Sequence, residues 1–465
     1  MQYNKKLTMT RILILSFVCF FVASSFAAMT PPDSTATIAQ KTAAGYMIEE
    51  GKALFNSGRY RDALNKFRDA AKKDVTSAKA TLWISRCHYE LSNYGYALRY
   101  AEDARLLSGI SQEKELYEML AEANHRLGNL DSAIANYEKG IQVMPKKRAA
   151  DLELPLHLEQ AKYAKEQLAK GIKNTRIHLN GDVNSGYNDY SPVIYNGGNS
   201  MYFTSRRNNT TGGRQNPSDQ QFFEDIYQAK WNSATNQWDS VTNRIGKING
   251  EGFESISYVS EDGLVAYVTM NYSEAMETKF TTKSSDIAEV KWTKQDRWSA
   301  PRLLGKNINS SFYDGNATLT ADGQTMYFVS ERNANKKKSD IYVAYKTGND
   351  WGSAVALPAE INSKGRETTP YITPDGRYLF FSSNGHKNSL GGYDVYVVEC
   401  TGGKSWGPVK NLGPAINTVN DDFGFKIYDA TGKAYINGME VIGDKASLDI
   451  YEFNLRLADL IKSLD

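Results

Sequence analysis

The chain has 465 residues, of which 41% are hydrophobic and 23% charged, and its formal net charge is +2. This length predicts about two to three globular domains. Because 55 Lys and Arg residues are balanced by 53 Asp and Glu residues, the sequence lacks the basic excess of a nucleic-acid-binding protein, and we expect no nucleic-acid partner. The short basic run at 336–338 is interpreted as a solvated loop.

The first 27 residues have the arrangement of a secretory signal peptide. Basic residues precede an apolar run over 12–23, and small residues follow it. The run is too short to span a bilayer comfortably, so we expect a periplasmic mature chain without a transmembrane segment. Cys19 could carry a lipid, but Val18 stands where lipoprotein processing needs a small residue, which argues against an anchor. Residues 28–44 are predicted to form a flexible leader.

Apolar residues then recur at helical spacing in three similar segments. Ala63, Ala97 and Ala133 occupy the same place in each segment and are 34 and 36 residues apart. Pro145 ends the third segment, because proline cannot continue a helix. Residues 152–168 predict one more amphipathic helix, which would cap the array. The pattern resembles the tetratricopeptide repeat (TPR), which implies an α-solenoid of three repeats plus a capping helix over residues 45–172.

The first helix of each TPR lines the concave face of such an array. The resemblance therefore implies a groove that binds a peptide or a partner helix. The alternative is that these side chains are only solvated and that the array is a spacer. The predicted groove residues are Lys52, Phe55, Arg86, Tyr89, Glu122 and His125.

Short alternating strands replace the helices over residues 175–455. Asp-Gly hairpin turns, tryptophans and Ile-Asn pairs recur in step with an Asp–aliphatic–aromatic marker. Units of four strands at this period are typical of β-propeller blades. The marker begins at Asp225, Asp340, Asp394 and Asp449, with a variant at Asp286.

The number of blades depends on how the ring closes. The last unit lacks an outer strand, and an isolated strand at 176–180 precedes the first unit. We expect this strand to complete the last blade and cover its edge, which gives five blades. Six blades remain the alternative if the stretch 208–223 hides an extra piece. Residues 456–465 form a tail, either a helix packed on the propeller or a docking segment.

One carboxylate precedes each hairpin turn and should stand at one mouth of the central channel. One hypothesis is an acidic ring that receives a basic segment or a cation. The other, which the repetition favours, is that each carboxylate caps its own blade, because like charges in a ring are costly unless bonded or solvated. The five residues are Asp189, Glu254, Asp314, Glu367 and Asp422.

No pattern of an enzyme stands out. The five histidines are scattered, and the sequence contains neither a His-x-x-x-His pair nor a Gly-x-Ser-x-Gly elbow. We therefore expect no catalytic, cofactor-binding or metal-binding residues and a non-enzymatic protein.

The fragments 383–394 and 412–418 resemble the WD40-like repeats of TolB-type propellers. Together with the TPR array they are similar to OmpA-associated periplasmic envelope proteins, including members of type IX secretion and gliding systems. That resemblance implies a scaffold for envelope proteins or peptide segments, with an outer-membrane protein as one candidate partner. No OmpA-like domain follows the propeller pattern, so we expect no direct peptidoglycan anchor through this chain. The alternative function is a glycan- or ligand-binding propeller module.

Overall fold

A computed structural model describes residues 36–107, 114–216, 219–271, 285–333, 338–402, 405–442 and 445–464. The predicted signal peptide, Cys19, the first part of the predicted leader and two lysines of the basic run lie outside these ranges.

Antiparallel helix pairs form the N-terminal part of the described chain. Ala63, Ala97 and Ala133 are fully buried, so the small side chains lie where paired helices approach each other closely. Three pairs are followed by a short helix and a final long one, which confirms the predicted repeats and capping helix. The helices are α1 Ile38–Asn56, α2 Tyr60–Lys73, α3 Ala78–Glu90, α4 Tyr94–Leu107, α5 Leu116–Arg126, α6 Leu130–Val143, α7 Lys146–Asp151 and α8 Leu154–Leu168.

The start of α1 differs from the sequence-based expectation. The helix begins at Ile38, inside the segment predicted as a leader, because Thr37 and Gln40 form a capping box. The Thr37 hydroxyl accepts a bond from the Gln40 amide at 3.3 Å, and the Gln40 side chain accepts one from the Thr37 amide at 2.8 Å. Two amide groups that a helix start leaves without partners are satisfied in this way.

Five antiparallel sheets follow, one for each predicted blade, so the chain forms a five-bladed propeller. Each sheet starts at the channel with the strand that carries the repeated carboxylate. The first three blades contain β2 Asp189–Tyr195, β3 Ser200–Ser205, β4 Asp225–Asn232 and β5 Gln237–Thr242; β6 Phe253–Val259, β7 Val265–Asn271, β8 Asp286–Lys291 and β9 Arg302–Leu303; and β10 Asp314–Leu319, β11 Thr325–Ser330, β12 Asp340–Thr347, β13 Asp350–Trp351 and β14 Val355–Ala356.

The last two blades show how the ring closes. Blade 4 contains β15 Glu367–Ile372, β16 Tyr378–Ser383, β17 Asp394–Gly402, β18 Ser405–Trp406 and β19 Lys410–Asn411. Blade 5 contains β20 Asp422–Tyr428, β21 Lys433–Ile442 and β22 Lys445–Asn454, and its outer strand is β1, Ile177–His178, from the start of the propeller. The β1 strand pairs antiparallel with β22, as the sequence predicted.

A repeated asparagine fastens each blade to the connection that follows it. The side chain accepts a hydrogen bond from the amide of the residue after the marker aspartate and donates one to the carbonyl of that same residue. In blade 5, Asn184 makes both bonds to Ile450, at 2.8 and 2.9 Å. Asn180, the last residue of the predicted strand 176–180, does not take this role, and its side chain donates to the Trp238 carbonyl. The other four asparagines are Asn249, Asn309, Asn362 and Asn417.

The stretch 208–223 holds no sixth blade in its described part, where Gln215 and Phe222 form an isolated bridge. The C-terminal tail contains a helix, α9 Leu457–Ser463. Leu460 on this helix is buried against the apolar core of blades 4 and 5, as in the packed-helix alternative.

Candidate functional site

The TPR array contacts one face of the propeller, the face at which the innermost strands begin. Leu390 of the propeller is fully buried and packs with Leu130 and Ala164. Gln160 of α8 donates to the carbonyls of Asn384 and His386, both at 3.0 Å. The fragment 383–394, which the sequence resemblance singled out, is therefore part of the contact between the two domains.

Two glycines in that fragment allow the close approach. A Cβ atom added to Gly391 would lie 2.0 Å from the carbonyl oxygen of Val419. One added to Gly392 would collide with the guanidinium of Arg126 and the carboxylate of Asp421. Arg126 links the two domains, because its Nη1 lies 3.1 Å from the Asp421 carboxylate of the propeller. Its Nε donates to the Tyr89 hydroxyl of the TPR array at 3.2 Å.

His125, predicted to face a partner, is buried in this contact instead. Its side chain is 4% exposed, and its Nε2 lies 2.8 Å from the Leu390 carbonyl oxygen, to which it donates. Burial lowers the pKa of His125 to about 4, so the ring is neutral at ordinary pH. The prediction is corrected for this residue, because the sequence could not show that the propeller covers this end of the groove.

Three of the predicted groove residues, Lys52, Phe55 and Arg86, surround Trp83, a residue that sequence reasoning missed. The Trp83 ring lies 5.2 Å from the Phe55 ring, and the cationic groups of Lys52 and Arg86 lie 5.6 and 5.5 Å from its centroid. These distances are typical of cation–π contacts. Trp83 stands one helical turn before Arg86 on α3, and that spacing was the signal available in the sequence.

Acidic residues of α5 continue this surface. Arg86 donates to the Glu118 carboxylate at 2.6 Å, and its side chain is 14% exposed. Glu122 lies one turn further along α5, 3.9 Å from the Nδ1 of His157. Burial, together with the charge of Glu118, raises the pKa of Glu122 to about 8. The groove thus combines an aromatic centre with charges of both signs. Some of these charges already form ion pairs within the array, such as Arg86 with Glu118.

The five repeated carboxylates stand at the starts of the innermost strands, and all of them are fully buried. In blade 3 the Asp314 carboxylate accepts bonds from the amide and hydroxyl of Ser310, at 2.5 and 2.7 Å. Asp189 and Asp422 repeat this arrangement with Ser185 and Thr418. Glu367 accepts bonds from two serine hydroxyls of its own blade. This geometry is that of the capping hypothesis.

An arginine completes three of these caps. Arg332 lies 2.7 Å from the Asp314 carboxylate, and its guanidinium stacks over Phe328 and Tyr342 at 5.2 and 5.0 Å. Tyr342 belongs to the Asp–Ile–Tyr marker, so the marker and the carboxylate are two parts of one buried cluster. Blades 1 and 5 use Arg207 and Arg176 in the same way.

Glu254 in blade 2 departs from this pattern. No side-chain donor among the described residues lies within hydrogen-bond distance of its buried oxygens. Burial raises the pKa of Glu254 to about 8, and the nearby Gly250 amide offsets that effect only in part. Blade 2 therefore carries a carboxyl group that is held in its protonated form near neutral pH.

We expect Glu254→Gln to make the protein more stable than the wild type at about pH 8 and to flatten the dependence of stability on pH. A carboxyl group whose pKa is raised on folding stabilises the folded state at low pH, and this contribution is lost as the pH rises from about 4.5 to about 8. Glutamine keeps the shape and has no proton to lose. Melting temperatures measured between roughly pH 5 and pH 8 test this, with exposed Glu360→Gln as the control. Parallel pH curves for wild type and Glu254→Gln would contradict it.

A cavity of about 440 Å³ lies on the channel axis at the face that contacts the TPR array. We call it the TPR-side cavity. None of the five repeated carboxylates lines it, whereas Glu224 does. Burial raises the pKa of Glu224, although the charge of Arg206 opposes the shift. Four of the five lining aromatic residues come directly before or after a repeated carboxylate, and this was the signal that sequence reasoning missed. The aromatic residues are Tyr190, Phe253, Tyr313, Tyr393 and Phe423.

The described residues contain neither a cluster of metal-binding side chains nor a helix suited to a membrane. Within the described ranges, no group of three or more His, Cys, Asp or Glu side chains is placed so that it could hold a metal ion. None of the helices in the described ranges has the length and apolar character needed to cross a membrane.

Comparison with known proteins supports the helical repeat. The tetratricopeptide-repeat family model matches residues 48–109. No curated protein sequence matches the chain. The helical part is similar to the Yersinia enterocolitica type III secretion chaperone SycD in complex with a YopD peptide, at 17% identity over 27% of this chain and 95% of that one, with a TM-score of 0.25. The β part is similar to a glycoside hydrolase, at 11% identity over 63% of this chain and 96% of that one, with a TM-score of 0.41.

A third similar structure is the Trypanosoma rangeli sialidase, at 11% identity over 60% of this chain and 56% of that one, with a TM-score of 0.34. At these identities and scores the structural similarities carry no functional argument. The chain thus combines a tetratricopeptide-repeat segment with a five-bladed β-propeller.

Proposed function

We propose that this protein is a non-enzymatic scaffold that binds protein or peptide partners in the periplasm of a bacterial cell envelope. The signal-peptide pattern and the sequence resemblance to envelope proteins of the type IX secretion group support the location. The observation that carries the binding role is the aromatic and charged concave surface around Trp83, which joins side chains from α1, α3 and α5.

Aromatic and arginine side chains dominate the binding energy of protein interfaces. Phe55, Trp83 and Arg86 are partly exposed on this surface, so a partner segment has access to such side chains. Glu115 and Glu118 supply negative charge beside the positive Lys52 and Arg86. The surface therefore suits a segment with at least one apolar anchor and flanking charges of both signs.

Reversal of one groove charge tests the proposal. We expect Lys52→Glu to reduce the recovery of stoichiometric partners about tenfold, because it places a like charge beside Glu49 and removes the cation over Trp83. The tagged full chain is cross-linked in the envelope fraction of its own host, and partners are quantified by mass spectrometry. Lys72→Glu, at an exposed position of α2, is the matched control and should recover wild-type amounts. Equal recovery with both variants would show that the groove is only a spacer.

The aromatic TPR-side cavity supports a second candidate function, the recognition of a glycan. Sugar rings stack on aromatic faces, and Tyr190 and Phe423 line an open cavity of suitable size. Under this alternative, cell-wall glycan fragments bind the purified chain without any co-purifying protein. Phe423→Ala then abolishes binding, while Lys52→Glu leaves it unchanged.

A further inference from the structure

A second cavity, of about 500 Å³, lies at the opposite end of the propeller axis. We call it the far cavity. It shares no lining residue with the TPR-side cavity, and it is formed by the second halves of the innermost strands and by the hairpin turns that follow them. The volume is within the range of sites for small organic molecules.

Lys426 of β20 lies in the wall of this cavity and breaks the five-fold repeat. Counted from the repeated carboxylate of each blade, the equivalent residues of the other four blades are uncharged, and all of them line the cavity. A lysine here is therefore not part of the structural repeat. The four equivalent residues are Val193, Tyr258, Thr318 and Tyr371.

The ammonium group of Lys426 is buried without a carboxylate partner. The residue is 7% exposed, and no described carboxylate forms an ion pair with it. Its Nζ donates a hydrogen bond of 3.0 Å to the carbonyl oxygen of Ser257. Ser257 belongs to blade 2, which is not a neighbour of blade 5 in the ring. This single bond leaves two N–H donors of the ammonium group for another acceptor. Burial of an ammonium group without a counter-charge is costly, so its presence calls for a ligand.

The walls and the rim indicate what kind of anion would fit. Leu319, Val193 and the ring of Tyr371 give the same cavity apolar surface. The rim carries the exposed carboxylates of Glu261, Asp375 and Asp429, which repel ions with several negative charges. A singly charged acid with an apolar body satisfies both the lysine and the walls.

We propose that the far cavity binds a small organic monoanion, whose acid group accepts hydrogen bonds from the Lys426 ammonium and whose apolar part lies against the aromatic and aliphatic wall. The site is independent of the TPR groove and of the partner bound there. Burial also lowers the pKa of Lys426 to about 7, and a bound anion would counteract that effect.

The test uses 4-phenylbutyrate as the probe and its uncharged amide as the matched ligand, with the full chain. We expect 4-phenylbutyrate to raise the melting temperature and to show saturation transfer in NMR, with binding up to about 10 mM, because one ion pair plus a small apolar body gives millimolar affinity. The amide and inorganic phosphate should bind at least about tenfold more weakly. Equal binding of the amide or of phosphate, or no binding of 4-phenylbutyrate in this range, would overturn the proposal.

Lys426→Met separates a binding role from a structural one. We expect this variant to lose 4-phenylbutyrate binding at least about tenfold and to melt at or above the wild-type temperature, because an apolar side chain of similar length replaces a buried unpaired charge. Exposed Lys247→Met is the control and should match the wild type in both measurements. A lower melting temperature for Lys426→Met would identify the lysine as a structural bridge to Ser257, and unchanged binding would likewise refute the site.

Discussion

We expect Asp314→Ala to lower the free energy of unfolding of the propeller by about 3–5 kcal/mol, because it removes one partner of a buried ion pair. Asp314 accepts two hydrogen bonds from Ser310 and a third from Arg332. Without the carboxylate, Arg332 stays between Phe328 and Tyr342 without that counter-charge. The amide and hydroxyl of Ser310 also lose their acceptor.

Urea unfolding followed by tryptophan fluorescence measures this effect, because six of the seven tryptophans lie between residues 231 and 406. Asp314→Asn should cost less, since its side-chain oxygen still accepts a bond from Ser310. Exposed Asp350→Ala in the same blade is the control, and its effect should stay within about 0.5 kcal/mol.

The same experiment distinguishes the two hypotheses for the repeated carboxylates. A large loss of stability for Asp314→Ala and for Glu367→Ala identifies them as caps. Variants with wild-type stability that no longer bind a basic partner segment would instead support the acidic ring, and the capping interpretation would be wrong.

The second large effect is expected at the contact between the domains. Arg126→Ala should weaken that contact by about 2–4 kcal/mol, because the side chain bonds Asp421, the Val419 carbonyl and Tyr89. Its side chain is only 16% exposed, so solvent screens the ion pair weakly. We expect the TPR array of this variant to melt separately, at a lower temperature than the propeller.

Differential scanning calorimetry and small-angle X-ray scattering measure the separation. The variant should show two resolved transitions and a larger radius of gyration than the wild type. Arg105→Ala is the matched control, because Arg105 pairs with Glu102 on an exposed helix surface, where such pairs contribute about 0–1 kcal/mol. If Arg126→Ala and Arg105→Ala gave the same scattering curve, the contact would not depend on Arg126.

Coupling of the domains has a consequence for partner binding. The propeller covers His125 and holds Arg126, so one end of the concave surface is already occupied. A partner that needs the whole groove must displace the Leu390 turn, whereas a partner of the Trp83 region need not. Comparison of partner recovery by Arg126→Ala and wild type separates these two modes of binding.

The repeats and the closure of the ring could be read from local patterns in the chain. Local patterns were sufficient, because alternating strands and the marker aspartate recur in all five blades, and Asp-Gly turns recur in three of them. The marker aspartate is buried in every blade. The strand before the first blade and the missing outer strand of the last blade gave the pairing of β1 with β22. A capping box at Thr37 was also readable, although the leader prediction overlooked it.

Which of the repeated residues a ligand can reach depends on contacts between distant parts of the chain. His125 has the pattern of a groove residue, yet a turn about 265 positions away in the chain covers it. Lys426 lies in the innermost strand of only one of the five blades. It reaches the Ser257 carbonyl across the axis only because the five blades close into a ring. Burial and partners depend on contacts between residues far apart in the chain, and no periodicity within one repeat encodes those contacts.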